Sequence, residues 1–255
     1  SISARAALNL LQVPDTHLVG DPAGRQRGVV TLDALQAVLR LAGKDSHDVV
    51  LLTGDIVHDD PEGYDWARRE LSMLGKPVLC IPGNHDDPAL LRDALAGEPF
   101  RHCGHHDFLG WRLVMLDSHV PGGAEGLLRA SELERLAAAL QSAGDRHVLV
   151  VLHHHPIASG SRWLDTLGLR NAKDFFAIID RHATVRGILW GHVHQSHDSI
   201  RCNTHGELRL MSTPSTCVQF LPQADDFAID TLPPGFRTLQ LHADGRIDSQ
   251  VRWLT

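Results

Sequence analysis

The sequence predicts an α/β sandwich, and three observations predict it. Apolar runs that stop at Asp, Asn or His recur five times, amphipathic segments separate the early ones, and the apolar period changes to two beyond residue 194. A continuous apolar run bounded by glycine is the pattern of a strand buried on both faces, as in a parallel sheet covered by helices. The clearest case is residues 49–60, VVLLTGDIVHDD, which places Gly54, Asp55, His58, Asp59 and Asp60 at the end of its run. LNLLQV runs likewise into Asp15 and His17, VLCIP into Asn84 and His85, VLVVL into His153, His154 and His155, and VRGILW into His192 and His194. Open α/β sheets bind ligands outside the carboxyl ends of their strands. One such residue alone is ordinarily a cap or a turn; five ends of this kind point to one polar cluster.

The elements follow in order. Thr31 to Leu41 carries Leu32, Leu35, Val38 and Leu39 on one helical face, a crossover to the strand at 49–53. Pro61 and Glu62 open a helix over 61–74, which leads to the strand at 77–81. A short helix is expected over Pro88 to Ala96, and a strand over Trp111 to Leu116 that ends at Asp117. Ser131 and Glu134 have the spacing of a capping box, ahead of a buried stripe of Leu133, Leu136 and Leu140 and the strand at 147–152. Residues 162–174 are irregular, and Phe175, Phe176, Ile178 and Ile179 suggest a helix before the strand at 185–190. Past His194, IRCN, LRLMS, FRTLQLHADG and IDSQVRWL alternate as antiparallel strands, with Asp244 and Gly245 at a hairpin turn, so the second sheet is expected to be largely antiparallel. Pro214 to Pro234 reads as a long loop lying over the site.

The totals narrow the class. The 255 residues suffice for one large domain spanning 1–255, with no repeat and no low-complexity tract. A net charge of −7 with no basic cluster argues against a nucleic-acid polymer as partner. No apolar run reaches the length of a membrane span, and SISARAALNLLQV lacks the parts of a secretory leader, so the expectation is a cytoplasmic protein without a membrane partner. Cys80, Cys103, Cys202 and Cys217 are scattered, which suits reduced thiols better than a thiolate zinc site. Eighteen histidines against one tyrosine point lightly to metal. The oligomeric state stays open between monomer and dimer.

The strand ends hold what a dinuclear centre requires: neutral imidazoles, hard oxygen donors and a carboxylate able to bridge ions ~3.5 to 4 Å apart. Asp15 and His17, two residues apart on an extended strand end, can grip one ion with His194. Asp55 would bridge, and Asn84, His192 and a histidine of the 153–155 triple would hold the second ion. The bland reading of the same residues is a polar cleft of histidines bonded to carboxylates.

Asp15-Thr16-His17, Gly54-Asp55, Gly83-Asn84-His85-Asp86, His154-His155-Pro156 and Gly191-His192-Val193-His194, in this order, resemble the calcineurin-like metallophosphoesterase family. Further segments, LHHHP, SRWLD, LRN, TPSTCVQF and PPGFRTLQLHADG, resemble the bacterial class III cyclic AMP phosphodiesterases nearly end to end. The resemblance implies a four-layer α/β/β/α sandwich with mixed sheets. It also implies a ligand set of Asp15, His17, Asp55, Asn84, His154, His192 and His194, with His154 selected because the family ligand stands two before a proline. Two divalent or mixed-valence ions follow, iron or manganese, with zinc as an alternative. His85 is then the candidate general acid, with Asp55 and Asn84 as its catalytic companions, and His17, Asn84, His85 and His194 face the substrate. The expected activity is hydrolysis of 3′,5′-cyclic AMP to 5′-AMP by a metal-activated hydroxide, which would end cyclic AMP signalling. The alternative is the same chemistry on glycerophosphodiesters or 2′,3′-cyclic nucleotides, and a third reading is a metal-bound scaffold without catalysis. His153 and His155 are expected to be supporting or buried, His58 and His197 structural or supporting the ligands beside them, and His102, His105 and His106 solvated. Pro14 departs from the Thr or Ser usual before the Asp and removes a backbone donor.

Overall fold

The computed structural model describes residues 7–255; the first six residues of the segment read for a leader lie outside the described part. The strands are β1 (Ala7–Val13), β2 (Arg25–Gln26), β3 (Val29–Val30), β4 (Val49–Leu52), β5 (Val78–Cys80), β6 (Phe100–His102), β7 (Gly104–Phe108), β8 (Trp111–Met115), β9 (His147–Leu152), β10 (Val185–Trp190), β11 (His197–Asn203), β12 (Gly206–Ser212), β13 (Gly235–His242) and β14 (Ile247–Trp253). The helices are α1 (Thr31–Ala42), α2 (Gly63–Ser72), α3 (Pro88–Ala94), α4 (Ala130–Gln141), α5 (Arg162–Asp165) and α6 (Ala172–Ile179).

Two six-stranded sheets form, in the orders β14-β13-β1-β4-β5-β6 and β11-β12-β10-β9-β8-β7. Leu10, Val49, Leu51, Trp111, Met115, Leu149, Leu189 and Leu239 pack between them. Leu35 and Val38 of α1, Leu71 of α2 and Leu91 of α3 cover the outer face of the first sheet. Leu136 and Leu140 of α4 and Phe175 and Ile179 of α6 cover the second. This is the α/β/β/α layering with mixed sheets. The all-apolar runs of β4 and β9 are required by it, since a central strand here has apolar neighbours above and below.

The second sheet is not largely antiparallel. β8, β9, β10 and β12 are mutually parallel along its centre, and only β7 and β11 at its edges run antiparallel. The period-two strands of the C-terminal part are shared out: β11 and β12 extend the second sheet, whereas the β13–β14 hairpin extends the first by pairing with β1, Leu10 opposite Leu239. Alternation reports one solvated face and says nothing of which sheet a strand joins. The stretch that carries His102, His105 and His106 forms edge strands β6 and β7, one in each sheet, joined through Cys103 and Gly104 at positive φ. His102 and His106 are half-buried there, bonded to the carbonyls of Leu95 and Cys103, while His105 is exposed. The capping box is not formed either. α4 begins two residues earlier, with Arg129 and not Ser131 at its N-cap, and Glu132 instead accepts from the Asp117 amide at 2.9 Å.

Candidate metal centre

The carboxyl ends of β1, β4 and β5 in one sheet meet those of β8, β9 and β10 in the other, and the chain turns there in a way ordinary residues avoid. Ten described non-glycine residues have positive φ, and six of them are Asp15, His17, Asp55, Asp59, His192 and His194. Strain of this kind persists where the surroundings over-determine it, and it clusters at functional sites. Asp15 and His17 therefore converge by left-handed turns, at φ 53° and 45°, and not by the pleat of an extended strand end. The glycines between them are forced by proximity. A Cβ on Gly83 would stand 2.2 Å from Asp55 Oδ1, and one on Gly54 2.4 Å from His153 Nδ1. Pro14 is accommodated, because the Asp15 amide donates to the Gly54 carbonyl at 3.1 Å and the Pro14 carbonyl accepts from Thr216.

The side chains brought together form four groups whose ligand atoms lie within 4.8 Å of one another: Asp15, His17 and His194; Asp15, Asp55 and His153; His153, His154 and His192; and His17, His58 and His85. His17 Nε2 lies 3.1 Å from His194 Nε2 and 3.8 Å from Asp55 Oδ2, and His194 Nε2 lies 3.5 Å from Asp15. His192 is tied to the same carboxylate through its backbone, which donates to both Asp15 oxygens at 3.1 Å and so stitches the two sheets. Backbone carbonyls set the tautomers. His153 Nδ1 donates to Thr53, His192 Nε2 to Leu167 and His194 Nδ1 to Val218, which leaves the opposite ring nitrogen of each as the one able to ligate.

The triple is where sequence and structure differ. His153, not His154, has its Nε2 at Asp55 Oδ2 (3.4 Å) and Asn84 Oδ1 (3.3 Å). His154 turns its Nδ1 to the Ser118 hydroxyl at 2.7 Å and shares only the His153–His192 group. Spacing to Pro156 could not decide this, because three consecutive residues leaving a strand point in three directions. His155 stacks over His192 at 22° and bonds Asp165 at 3.2 Å, so it supports.

Burial holds the His17 and His192 rings well below the usual imidazole range, helped by the histidines around them, and so keeps them neutral with lone pairs to offer. His153 goes the other way. Burial alone would lower it, but the Asp55 carboxylate outweighs burial and lifts it to about 9, while Asp55 itself is driven down despite its burial. The imidazole nitrogens and carboxylate oxygens gathered within 4.8 Å of one another are a donor set that fits a divalent ion.

Two residues outside the ligand set matter. Asp86, half-seen in the Gly83-to-Asp86 motif, accepts from the amides of Ile56, Val57 and Gly83 and from the hydroxyl of Tyr64, the single tyrosine. It ties the Asp55 loop to the Asn84 loop, and burial together with the Asp55 charge lifts it to about 6. Asp59 accepts from His85 Nδ1 at 3.0 Å, and the His85 amide donates to Asp55 at 2.9 Å. His58 stacks on His85 at 4.3 Å and faces His17 Nδ1 at 3.0 Å, so it belongs to the site's wall, whereas His197 bonds Ser199 away from it. A cavity of about 300 Å³ opens onto this group, and His17, Asp55, Asn84, His85, His192 and His194 all line it.

The calcineurin-like phosphoesterase family pattern matches residues 8–196, which take in every strand end described above. The chain belongs to that family. Calcineurin-like phosphoesterases are hydrolases built around a dinuclear metal centre, and the donor set fits one. The chain is 38% identical to the 3′,5′-cyclic adenosine monophosphate phosphodiesterase of Pseudomonas aeruginosa over 96% of its own length and 90% of the relative's. It is 37% identical to that of Escherichia coli K12 over 99% and 92%. A dimetal phosphatase from Danio rerio shares the fold at a TM-score of 0.66 and 14% identity, with 97% of this chain and 99% of that one covered. No helix among the described residues is long and apolar enough to cross a membrane.

Proposed function

We propose that this calcineurin-like phosphoesterase hydrolyses 3′,5′-cyclic AMP to 5′-AMP and so ends cyclic AMP signals. The observation that carries the reading is the near end-to-end identity, 37 to 38%, with cyclic AMP phosphodiesterases, supported by the convergence of Asp15, His17, Asp55, His153, His192 and His194. In this reading Asp15, His17 and His194 would hold one ion and Asn84, His153 and His192 the other, with the Asp55 carboxylate standing between the two groups. His153 takes the place that spacing alone gives to His154, because its Nε2 faces Asp55 and Asn84. Nitrogen and oxygen donors without thiolate suit iron or manganese, with zinc as the alternative. Bound there, two cations would supply positive charge for the phosphoryl oxygens and acidify water. The chain's own residues do the rest. Asp59 fixes the His85 ring through Nδ1, which leaves Nε2 to pass a proton to the departing 3′ oxygen, and Asp55 holds the His85 backbone. Burial of the ligand rings excludes water from their outer sides and sharpens every charge interaction inside.

The whole chain is read as one domain, since its last hairpin completes the sheet that carries Asp15, Asp55 and Asn84. A reducing, cytoplasmic setting is supported by four free cysteines. The test is a side-by-side assay of 3′,5′-cyclic AMP, 3′,5′-cyclic GMP, 2′,3′-cyclic AMP and a glycerophosphodiester, with metal measured on the same preparation. The 3′,5′-cyclic nucleotides should dominate at two metals per chain. Preference for either other ester would replace the proposed substrate, and metal without turnover would make the chain a scaffold.

A further inference from the structure

Away from the metal ligands the cavity is lined by three aromatic rings, Trp163, Phe220 and Phe227, and the long segment 214–234 carries two of them. This segment is a flap and not a structureless loop. Leu221 bonds Ala228, Asp230 bonds Gln219, Phe220 bridges to Ile229, and the Gly235 amide closes the base on Ser215. Its tip is held to α5 by the Arg162–Asp225 ion pair at 2.9 Å and by the Arg162 amide on the Ala224 carbonyl. Eight large apolar side chains are exposed among the described residues, and four of them, Leu221, Phe227, Ile229 and Leu232, lie on this flap. Apolar surface gathered beside a polar site marks a place where something docks.

We propose that Trp163, Phe220 and Phe227 form the nucleobase subsite of the enzyme, onto which the purine of a cyclic mononucleotide stacks while its phosphate meets the histidine and carboxylate cradle. The inference rests on the phosphodiesterase reading above. The three rings meet edge to face, with centroids 5.1 to 5.5 Å apart, and all three line the cavity that His17, Asn84 and His85 also line. Phe220 joins the two halves, because it lies flat on the candidate ligand His194, at 4.0 Å and 7°. The guanidinium of Arg27, carried on the tight turn between β2 and β3, lies 4.7 Å from the centre of the Phe227 ring. That ring therefore already presents its face to a planar cationic group, and a heterocycle makes the same contact. Aliphatic walls would have served a glycerol or alkyl ester equally well; three rings favour a base. Stacking reads a π face and not a hydrogen-bonding edge, so this subsite selects for a base over none more strongly than for adenine over guanine.

The test compares KM for 3′,5′-cyclic AMP with KM for the base-free ester, 1-deoxyribose 3′,5′-cyclic phosphate, on metal-loaded protein. The ratio is taken within one preparation, so metal loading and folded fraction cancel. The wild-type chain should favour cyclic AMP by ~10-fold or more, the scale of one base–aromatic stack. Phe227 is 44% exposed at the flap, so its removal leaves no core cavity. Phe227→Ala should shrink the preference to roughly 2-fold, whereas Phe227→Trp, which keeps a π face, should hold it. Equal KM for the two esters in the wild type, or an unchanged ratio in Phe227→Ala, overturns the subsite while the phosphodiesterase reading stands. Turnover of neither ester sinks that reading, and the subsite with it.

Discussion

The two walls of the cavity are made on opposite principles. On one side Asp15, Asp55, His192 and His194 are buried, sit at positive φ and are each held by groups from the other sheet or a neighbouring loop. On the other side the flap leaves Phe227 and Leu221 in solvent, and exposed pairs such as Arg162–Asp225 secure its tip. A buried polar group that loses its partner pays its full desolvation cost, so the cradle admits little change. An exposed ring loses only its own contacts when replaced. Groups whose geometry must not change fit the first kind of wall, and contacts that tolerate substitution fit the second.

The comparison breaks first at Asp55. Asp55→Ala should abolish turnover and leave less than one metal per chain by elemental analysis, since its carboxylate lies at the junction of both ligand groups. Two tightly bound metals in that variant would refute the dinuclear assignment. Next comes His85. His85→Ala should keep both metals but lose ~10² to 10⁴ in kcat on cyclic AMP, the usual contribution of positioned proton transfer. A p-nitrophenyl diester, whose leaving group departs without a proton, should lose less, and equal losses would reassign His85 to phosphoryl charge.

Metal affinity should respond to pH in a direction set by His153. Its imidazole is lifted to about 9, so below that pH an ion must displace a proton, and rising pH removes the competitor. Titration of the metal-free protein with manganese should therefore show affinity increasing by ~10-fold per pH unit up to about pH 9 and levelling above it. A flat profile would mean that His153 carries no proton or is no ligand.

Asp86→Asn tests the cradle's rigidity apart from its ligands. An asparagine can keep an oxygen for Val57 and Tyr64 but then turns an N–H toward the Gly83 amide that now donates to the other oxygen, at a cost of ~1 to 3 kcal/mol in thermal unfolding. The smallest effect belongs to the flap. Arg162→Ala removes an exposed ion pair, worth ~0.2 to 1 kcal/mol, and should shift Tm by less than about 3 °C. A larger shift would place the flap among the rigid parts and erase the contrast.

Much of the cradle was legible because buried parallel strands write themselves as unbroken apolar runs, and a carboxylate or imidazole at the end of such a run has nowhere to lie but the sheet's edge. Asp15, His17, Asp55, Asn84, His192 and His194 were all found this way, and the structure brings all six to one cavity or its floor. Sequence alone thus determined the strands of the core, the order of the polar ends and the kind of chemistry they can support. Tertiary structure decided the rest. His153 rather than His154 reaches Asp55, because the direction of each residue after β9 depends on which carbonyl of another strand its ring can meet. β13 and β14 joined the first sheet although nothing in their alternation names a partner. The proline-bearing flap acquired its pairing and its aromatic face from contacts between residues distant in sequence, Trp163 with Phe220 and Arg27 with Phe227, and local periodicity carries no record of contacts made at that range.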